Sequence, residues 1–104
     1  RLLKEMTDAT DELLEVEVLT APGWIRPKFE SDDFAAGYVG YYVCNGAVIA
    51  QEFGDEEADA KALATLKKLY PDREVVALNV DALAAGGGSI HCATQQEPKA
   101  ISVP

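Results

Sequence analysis

The sequence predicts a mixed α/β chain: a strand, a hairpin, a helix, a second single strand and then a glycine-rich segment that contains a cysteine. Three observations predict this class. An Asn45-Gly46 dipeptide separates two strand-like runs, residues 55–70 have helical periodicity, and residues 75–80 form a short apolar run typical of a strand. The chain has 104 residues, of which 48% are hydrophobic and 26% charged, so its composition fits one globular domain.

The N-terminal third combines three predicted segments. Residues 1–6 resemble the last turns of a helix that began earlier, so we expect the chain to be part of something longer. Residues 14–19 alternate apolar and acidic side chains, which predicts a half-buried strand. Residues 21–33 contain two prolines, a glycine and a polar run, and they predict a loop that could border a site.

The predicted hairpin follows this loop. Residues 38–44 are rich in aromatic and β-branched side chains, and residues 47–50 form a second apolar run. The intervening Asn45-Gly46 favours a tight turn, because both positions must adopt positive φ in the commonest hairpin turn. We therefore predict two antiparallel strands.

The predicted helix at 55–70 has clear ends. Asp55 can cap its N-terminus, and Pro71 prevents its continuation. Its apolar side chains fall on one stripe, which comprises Ala62, Leu63, Leu66, Leu69 and Tyr70. The run at 75–80 that follows predicts a strand buried on both faces.

The charge balance constrains the partners. Nine basic and 18 acidic residues give a net charge of −9, which opposes binding to nucleic acid or to an anionic membrane. The negative field would attract a small cationic ligand, although an acidic surface more often serves only to keep a protein soluble. The N-terminus has no signal-peptide pattern, and the two cysteines are too sparse for a secreted disulfide scaffold. We therefore expect a cytoplasmic protein.

The glycine triplet Gly86, Gly87 and Gly88 leads directly to the segment with the second cysteine. Glycine lets the backbone approach a ligand or another chain segment closely, so the triplet could form the wall of a site beside Cys92. A simple flexible turn explains the triplet equally well. The residues alone leave both interpretations open.

Cys92 follows His91, which is the only histidine. We interpret the segment as a strand, on which adjacent side chains point to opposite faces. On a helix they diverge as well, so the two are not expected to act as a pair in either case. Two cysteines and one histidine at these separations match no compact metal-ligand spacing, and we predict neither metal nor cofactor. Cys44 is expected to be a small buried hydrophobe, and Asp81 and Glu97 are expected to be solvated loop carboxylates without a catalytic role.

Four segments carry a family resemblance. The longest is residues 86–98, GGGSIHCATQQEP, and the others are 42–49 (YVCNGAVI), 53–55 (FGD) and 70–76 (YPDREVV). Together they resemble agmatine deiminases and the related bacterial peptidyl-arginine deiminases, over roughly residues 39–98. The sequence departs from that pattern at Gly40, where an asparagine is usual, and at Ala50-Gln51, where a proline-containing turn is usual.

The resemblance implies a pentein-type five-bladed α/β propeller built from ββαβ modules. The chain would then be the C-terminal part of a larger catalytic domain, roughly its last one to one and a half modules. Cys92 would be the nucleophile of a hydrolase that converts agmatine to N-carbamoylputrescine and ammonia through an amidino-cysteine intermediate, a step of putrescine and polyamine biosynthesis. The histidine and the carboxylates of that reaction would come from earlier modules, so the isolated chain is expected to be inactive.

Several alternatives remain at this stage. The substrate could instead be peptidyl-arginine or free arginine. The chain could also be a non-catalytic α/β interaction module, or a small redox or metal-binding domain. A chain with exposed apolar edges could form homo-oligomers.

Overall fold

The computed structural model describes residues 2–101. Its regular elements are strands β1, β2 and β3 and helices α1 and α2, with three short 3-10 helices between or beside them. In chain order they are the 3-10 helices Leu2–Glu5 and Pro27–Phe29, β1 Tyr42–Cys44, β2 Ala47–Glu52, α1 Glu56–Leu69, β3 Glu74–Asn79, α2 Asp81–Ala85 and the 3-10 helix His91–Ala93.

The strands form one mixed sheet in the order β1-β2-β3. β1 and β2 pair antiparallel around the Asn45-Gly46 turn, in which Gly46 has a φ of 78°, so the predicted hairpin is confirmed. β2 and β3 pair parallel, with Ala47 opposite Glu74 and Glu52 opposite Asn79. A parallel pair needs a crossover connection, and α1 provides it.

Helix α1 confirms the predicted helix within one residue at each end. The Asp55 side chain accepts a hydrogen bond from the backbone N–H of Ala58 at 3.2 Å, which satisfies one of the free donors at the helix N-terminus. Ala62 and Leu66 are its buried residues, and they lie on the predicted apolar stripe.

The core consists of two adjoining clusters. Leu66 of α1 packs on Val48 and Ala50 of β2. Tyr38 and Phe53 pack edge to face, with ring centroids 5.2 Å apart, against Ala62 and Ala84. The second cluster joins α1 to α2 and to the loop before β1.

Residues 14–19 do not form the predicted strand. The segment lies instead beside α1: Leu19 packs on both core clusters, and Glu17 forms an exposed ion pair with Lys68 at 3.0 Å. The alternating pattern thus reflects an apolar residue inserted against a helix rather than a strand in a sheet. Where the end of a longer helix was predicted at residues 1–6, residues 2–5 form a 3-10 helix. Arg1 lies outside the described residues.

Two further expectations are corrected. β3 is not buried on both faces, because α1 covers only one side of it: Val75 packs on the core, whereas Leu78 is 45% exposed. The strand predicted at 38–44 begins only at Tyr42, because Tyr38 turns into the core. Within residues 2–101, no helix is long and apolar enough to cross a membrane.

Candidate functional site

The glycine triplet terminates α2, a helix that the sequence analysis did not predict. The N–H of Gly87 donates to the carbonyl oxygen of Ala84 at 2.9 Å, and the N–H of Gly88 donates to that of Leu83 at 3.3 Å. Gly87 has a φ of 86°, the left-handed conformation that commonly ends a helix and that glycine adopts without strain. An alanine-rich run followed by glycine was the signal for this helix end.

Cys92 lies on a 3-10 helix, His91–Ala93, and not on a strand as predicted. The backbone N–H of His91 donates to the carbonyl oxygen of Gly40 at 3.0 Å, and the Thr94 hydroxyl donates to the carbonyl oxygen of Ile90 at 2.9 Å. These bonds close the turn and attach it to the segment before β1. Adjacent side chains diverge on a helix as they do on a strand, so the expectation that His91 and Cys92 do not act as a pair is unchanged.

The Cys92 sulfur is exposed and is flanked by small residues. Its Sγ lies 3.8 Å from the Ser89 hydroxyl. The position that a Cβ atom would take on Gly88 lies 3.5 Å from Cys92 Cβ and 3.8 Å from its Sγ. The backbone amide and then the hydroxyl of Ser89 hold the pKa of the Cys92 thiol below its usual value, because both donate to the sulfur and favour the thiolate.

Gly40 and Ser89 fix the position of the cysteine turn. A Cβ atom on Gly40 would overlap the Ser89 side chain, so only glycine allows this approach. The same glycine accepts the backbone bond from His91. Gly40, where an asparagine is usual in the family pattern, therefore leaves room for the Ser89 side chain.

The three glycines that were predicted to form the wall of a site have different neighbours. Gly88 adjoins Cys92. A Cβ on Gly87 would instead lie 3.5 Å from the carbonyl oxygen of Asp33, and one on Gly86 would lie 3.5 Å from that of Leu83. Close approach to the cysteine is thus a property of Gly88, whereas Gly86 and Gly87 form the helix end.

Asp81 is not the solvated loop carboxylate that the sequence predicted. It is the first residue of α2 and is 5% exposed. Both its carboxylate oxygens accept from Arg26, with Nε at 2.7 Å and Nη2 at 3.1 Å. The Arg26 guanidinium also donates to the backbone carbonyl of Glu52 at 2.7 Å and lies 3.4 Å from the Glu52 carboxylate. Asp81 raises the pKa of Arg26 through the hydrogen bond, so the guanidinium keeps its charge.

The polar cluster of Arg26, Glu52 and Asp81 connects the loop at residues 21–33 to the end of β2 and the start of α2. Gly54, with a φ of 102°, lies beside it, and a Cβ there would be 3.0 Å from Arg26 Cγ. Sequence reasoning missed this cluster because Arg26 and Asp81 are far apart along the chain and no local pattern links them. Its role in the described residues is to hold the loop on the sheet.

Asp59 organises the connection from β2 to α1. Its carboxylate accepts hydrogen bonds from the Tyr38 hydroxyl at 2.7 Å and from the backbone N–H groups of Phe53 and Gly54, each at 3.0 Å. Burial, followed by the bond to Asp59, raises the pKa of Tyr38 well above its usual value. This polar group therefore anchors the aromatic core.

The remaining predicted residues are separate from Cys92. Cys44 is half-buried in β1, and its thiol donates weakly to the carbonyl oxygen of Ala47 at 3.6 Å. Glu97 is exposed. No group of three or more metal-ligating side chains occurs in the part of the chain that the structure describes.

The fold and the site define a mixed α/β chain that presents an exposed cysteine, with a lowered pKa, on a glycine-lined turn. A family model described as "Porphyromonas-type peptidyl-arginine deiminase" matches residues 1–98. The chain therefore belongs to the family of agmatine and Porphyromonas-type peptidyl-arginine deiminases, which confirms the resemblance.

Two similar proteins illustrate the relationship. An agmatine deiminase of Medicago truncatula is 35% identical over 114 residues, and the match covers 93% of this chain and 30% of that protein. The solved structure of the agmatine deiminase of Enterococcus faecalis superposes with a TM-score of 0.81 at 35% identity, and it covers 93% of this chain and 30% of that one. The chain thus spans about 30% of the length of these relatives.

Proposed function

We propose that Cys92 is the nucleophile of a deiminase that acts on a small guanidine compound, with agmatine as the first substrate to test. The observation that carries the proposal is the exposed Cys92 thiol, whose pKa is lowered and which is held beside Gly88 and Ser89. A thiolate is the form that attacks carbon, so a thiol of lowered pKa suits covalent catalysis. The names of the relatives support the choice of agmatine.

The reaction would have two stages. The Cys92 thiolate attacks the guanidinium carbon, and the tetrahedral adduct breaks a carbon–nitrogen bond as the leaving nitrogen takes a proton and departs as ammonia. Water then adds to the carbon of the amidino-cysteine, and the carbon–sulfur bond breaks to return the thiolate. The sum for agmatine is one water consumed, with N-carbamoylputrescine and ammonia formed.

This chain would supply only part of that machinery. The reaction needs carboxylates that orient the planar guanidinium and an acid that protonates ammonia. Asp81 is already paired with Arg26, and the Glu97 side chain is exposed. We therefore assign those roles to residues of the longer polypeptide and propose that these residues form the last one to one and a half modules of a five-bladed propeller. Gly86, Gly87 and Gly88 would form the wall beside the substrate, with Gly88 nearest the sulfur.

The test uses the full-length polypeptide that carries this chain. Release of ammonia and of the ureido product is measured with agmatine, arginine and an arginine peptide in parallel. We expect turnover with one of the three, loss to background in Cys92→Ala, and full activity in the matched Cys44→Ala variant. The isolated chain should show no turnover.

Two outcomes would contradict the proposal. Turnover that survives Cys92→Ala would remove the cysteine from the mechanism. No turnover of any of the three substrates by the folded wild-type protein would instead favour a non-catalytic interaction module. Trapping of a covalent intermediate by acid quench, detected as a mass increase on the Cys92 peptide, gives an independent measure of the first stage.

A further inference from the structure

The side chain of Gln51 is the unexplained polar group of the fold. The residue is 4% exposed, and neither its amide nitrogen nor its amide oxygen has a hydrogen-bond partner within the described residues. A buried polar atom without a partner destabilises the fold, and native proteins keep few of them. An apolar side chain of the same size would avoid that cost, so the presence of the amide requires a reason.

The strand pattern shows where this amide points. Val48 and Ala50 of β2 pack against α1, so Gln51 lies on the opposite face of the sheet. There its Oε1 lies 3.6 Å from the position that a Cβ atom would take on Gly40. That same position is filled by the Ser89 side chain. The Gln51 amide and the Ser89 side chain therefore both border the space that a side chain at Gly40 would occupy, on the cysteine side of the sheet.

Ser89 has one hydroxyl proton, and the direction in which it points matters for Cys92. Its Oγ lies 3.8 Å from Cys92 Sγ, a distance at which either atom can donate. If the proton points at the sulfur, it stabilises the thiolate; if it points at an oxygen of another residue, that stabilisation is lost. A donor placed behind Ser89 decides between the two, because it occupies a lone pair of Oγ and leaves the proton free for the sulfur.

We propose that Gln51 is a positioning residue for the nucleophile: its amide N–H donates to Ser89 Oγ and thereby directs the Ser89 hydroxyl proton to the Cys92 sulfur. A half-turn of the amide about its terminal bond brings Nε2 to the side of Gly40 now taken by Oε1. The bond then gives the buried amide nitrogen of Gln51 a partner and couples β2 to the cysteine turn. The proposal rests on the proposed function only in treating Cys92 as the reactive thiol.

Other ionisable groups lie on the turn or on the segments connected to it, and the experiment leaves them unchanged. They are His91 on the turn itself, Asp33 in the loop that contacts Gly87 through its carbonyl oxygen, Asp81 at the start of α2, and Tyr41 and Tyr42 after Gly40. Asp81 is neutralised by Arg26. None of them is altered by a neutral substitution at Gln51, so a change in Cys92 titration on such a substitution reports the amide.

The experiment measures the rate of Cys92 alkylation by iodoacetamide between pH 5 and pH 10, in the full-length protein with Cys44→Ala as background. Gln51→Met keeps the length of the side chain and removes the amide. We expect it to move the midpoint of the pH–rate profile upward and to slow alkylation at neutral pH by about 3–10-fold, the effect of one lost hydrogen bond to the thiolate network. Ile49→Met, on the same strand face, should leave the profile unchanged.

Ser89→Ala provides the decisive comparison. If Gln51 acts through Ser89, then Gln51→Met has no further effect in a Ser89→Ala protein, because the hydroxyl that it directs is gone. An unchanged midpoint in Gln51→Met would overturn the inference, and so would an equal shift with and without Ser89. Gln51→Leu repeats the test with a second apolar side chain, and thermal denaturation of each variant confirms folding.

The alkylation readout needs no substrate, so this inference and the proposed function can fail separately. A coupled Gln51–Ser89 effect on a protein that deiminates none of the tested guanidines would overturn only the proposed function. A protein that deiminates agmatine through Cys92 with no Gln51 effect would overturn only the inference.

Discussion

The Ser89 side chain fills the volume that any side chain at Gly40 would need. The contact joins the segment before β1 to the turn that carries Cys92, and the backbone bond from His91 to Gly40 reinforces it. Placement of the cysteine therefore depends on a residue about fifty positions earlier in the chain.

Gly40→Ala is expected to displace Ser89 and, with it, the cysteine turn. A shift of about 1 Å in a reacting group can cost about 100-fold in rate, so we expect a loss of that order in turnover or in Cys92 alkylation. Gly37→Ala is the matched control, because a Cβ at Gly37 meets nothing within 4 Å. Equal behaviour of the two variants would show that the Gly40–Ser89 contact does not position the cysteine.

The sequence predicted the elements that depend on local signals. The turn at Asn45-Gly46 and the cap at Asp55 are decided by residues next to one another, and both were correct. The family motif at residues 86–98 likewise identified the family without any structure. Local chemistry was sufficient for these features.

The errors arose where distant contacts decide the structure. Residues 14–19 have a strand pattern, but Leu19 finds its burial against α1 rather than in a sheet. The sequence around Asp81 resembles that of a loop, but its carboxylate binds Arg26, which lies 55 positions earlier in the chain. The helical conformation of the cysteine turn also depends on the contact with Gly40. No periodicity within a single segment contains such information.

Arg26→Met is expected to destabilise the protein strongly. It leaves the Asp81 carboxylate buried without its cation, and breaking a buried pair from one side costs about 3 kcal/mol. Denaturant unfolding measures the loss. Lys68→Met is the control, because its ion pair with Glu17 is exposed, with side chains 70% and 41% accessible, and should change stability little. Similar losses for both variants would contradict a special role for the Arg26–Asp81 pair.

Alkaline pH is expected to weaken the fold through Tyr41. Its hydroxyl lies 3.1 Å from that of Tyr70, and this hydrogen bond together with burial raises the pKa of Tyr41 to about 12. Because the folded pKa lies above the unfolded value of about 10, the protonated hydroxyl contributes stability that is complete below about pH 10 and is lost as pH rises toward 12.

The free energy of unfolding, measured from pH 8 to pH 12, checks this sign. Tyr41→Phe should show a shallower decline over the upper half of that range than the wild type, because the titrating hydroxyl is gone. Tyr42→Phe serves as the comparison, since the Tyr42 hydroxyl makes only a long contact of 3.5 Å with the carbonyl oxygen of Gln95. Parallel curves for wild type and Tyr41→Phe would refute the assignment.

Gly88→Ala tests the wall beside the cysteine. The added methyl group would stand 3.5 Å from Cys92 Cβ and 3.8 Å from its sulfur, which is ordinary van der Waals contact, so the fold should tolerate it. The methyl group nevertheless occupies one side of the approach to the sulfur. We expect alkylation by small iodoacetamide to fall only slightly, whereas a bulkier amidine-bearing electrophile slows by about 10-fold or more, a difference of about 1.4 kcal/mol in barrier. Gly37→Ala, whose added methyl group would meet no atom within 4 Å, should slow neither reagent. Equal slowing of both reagents by Gly88→Ala would indicate a change in the thiol itself rather than a blocked approach, and it would remove Gly88 from the wall of the site.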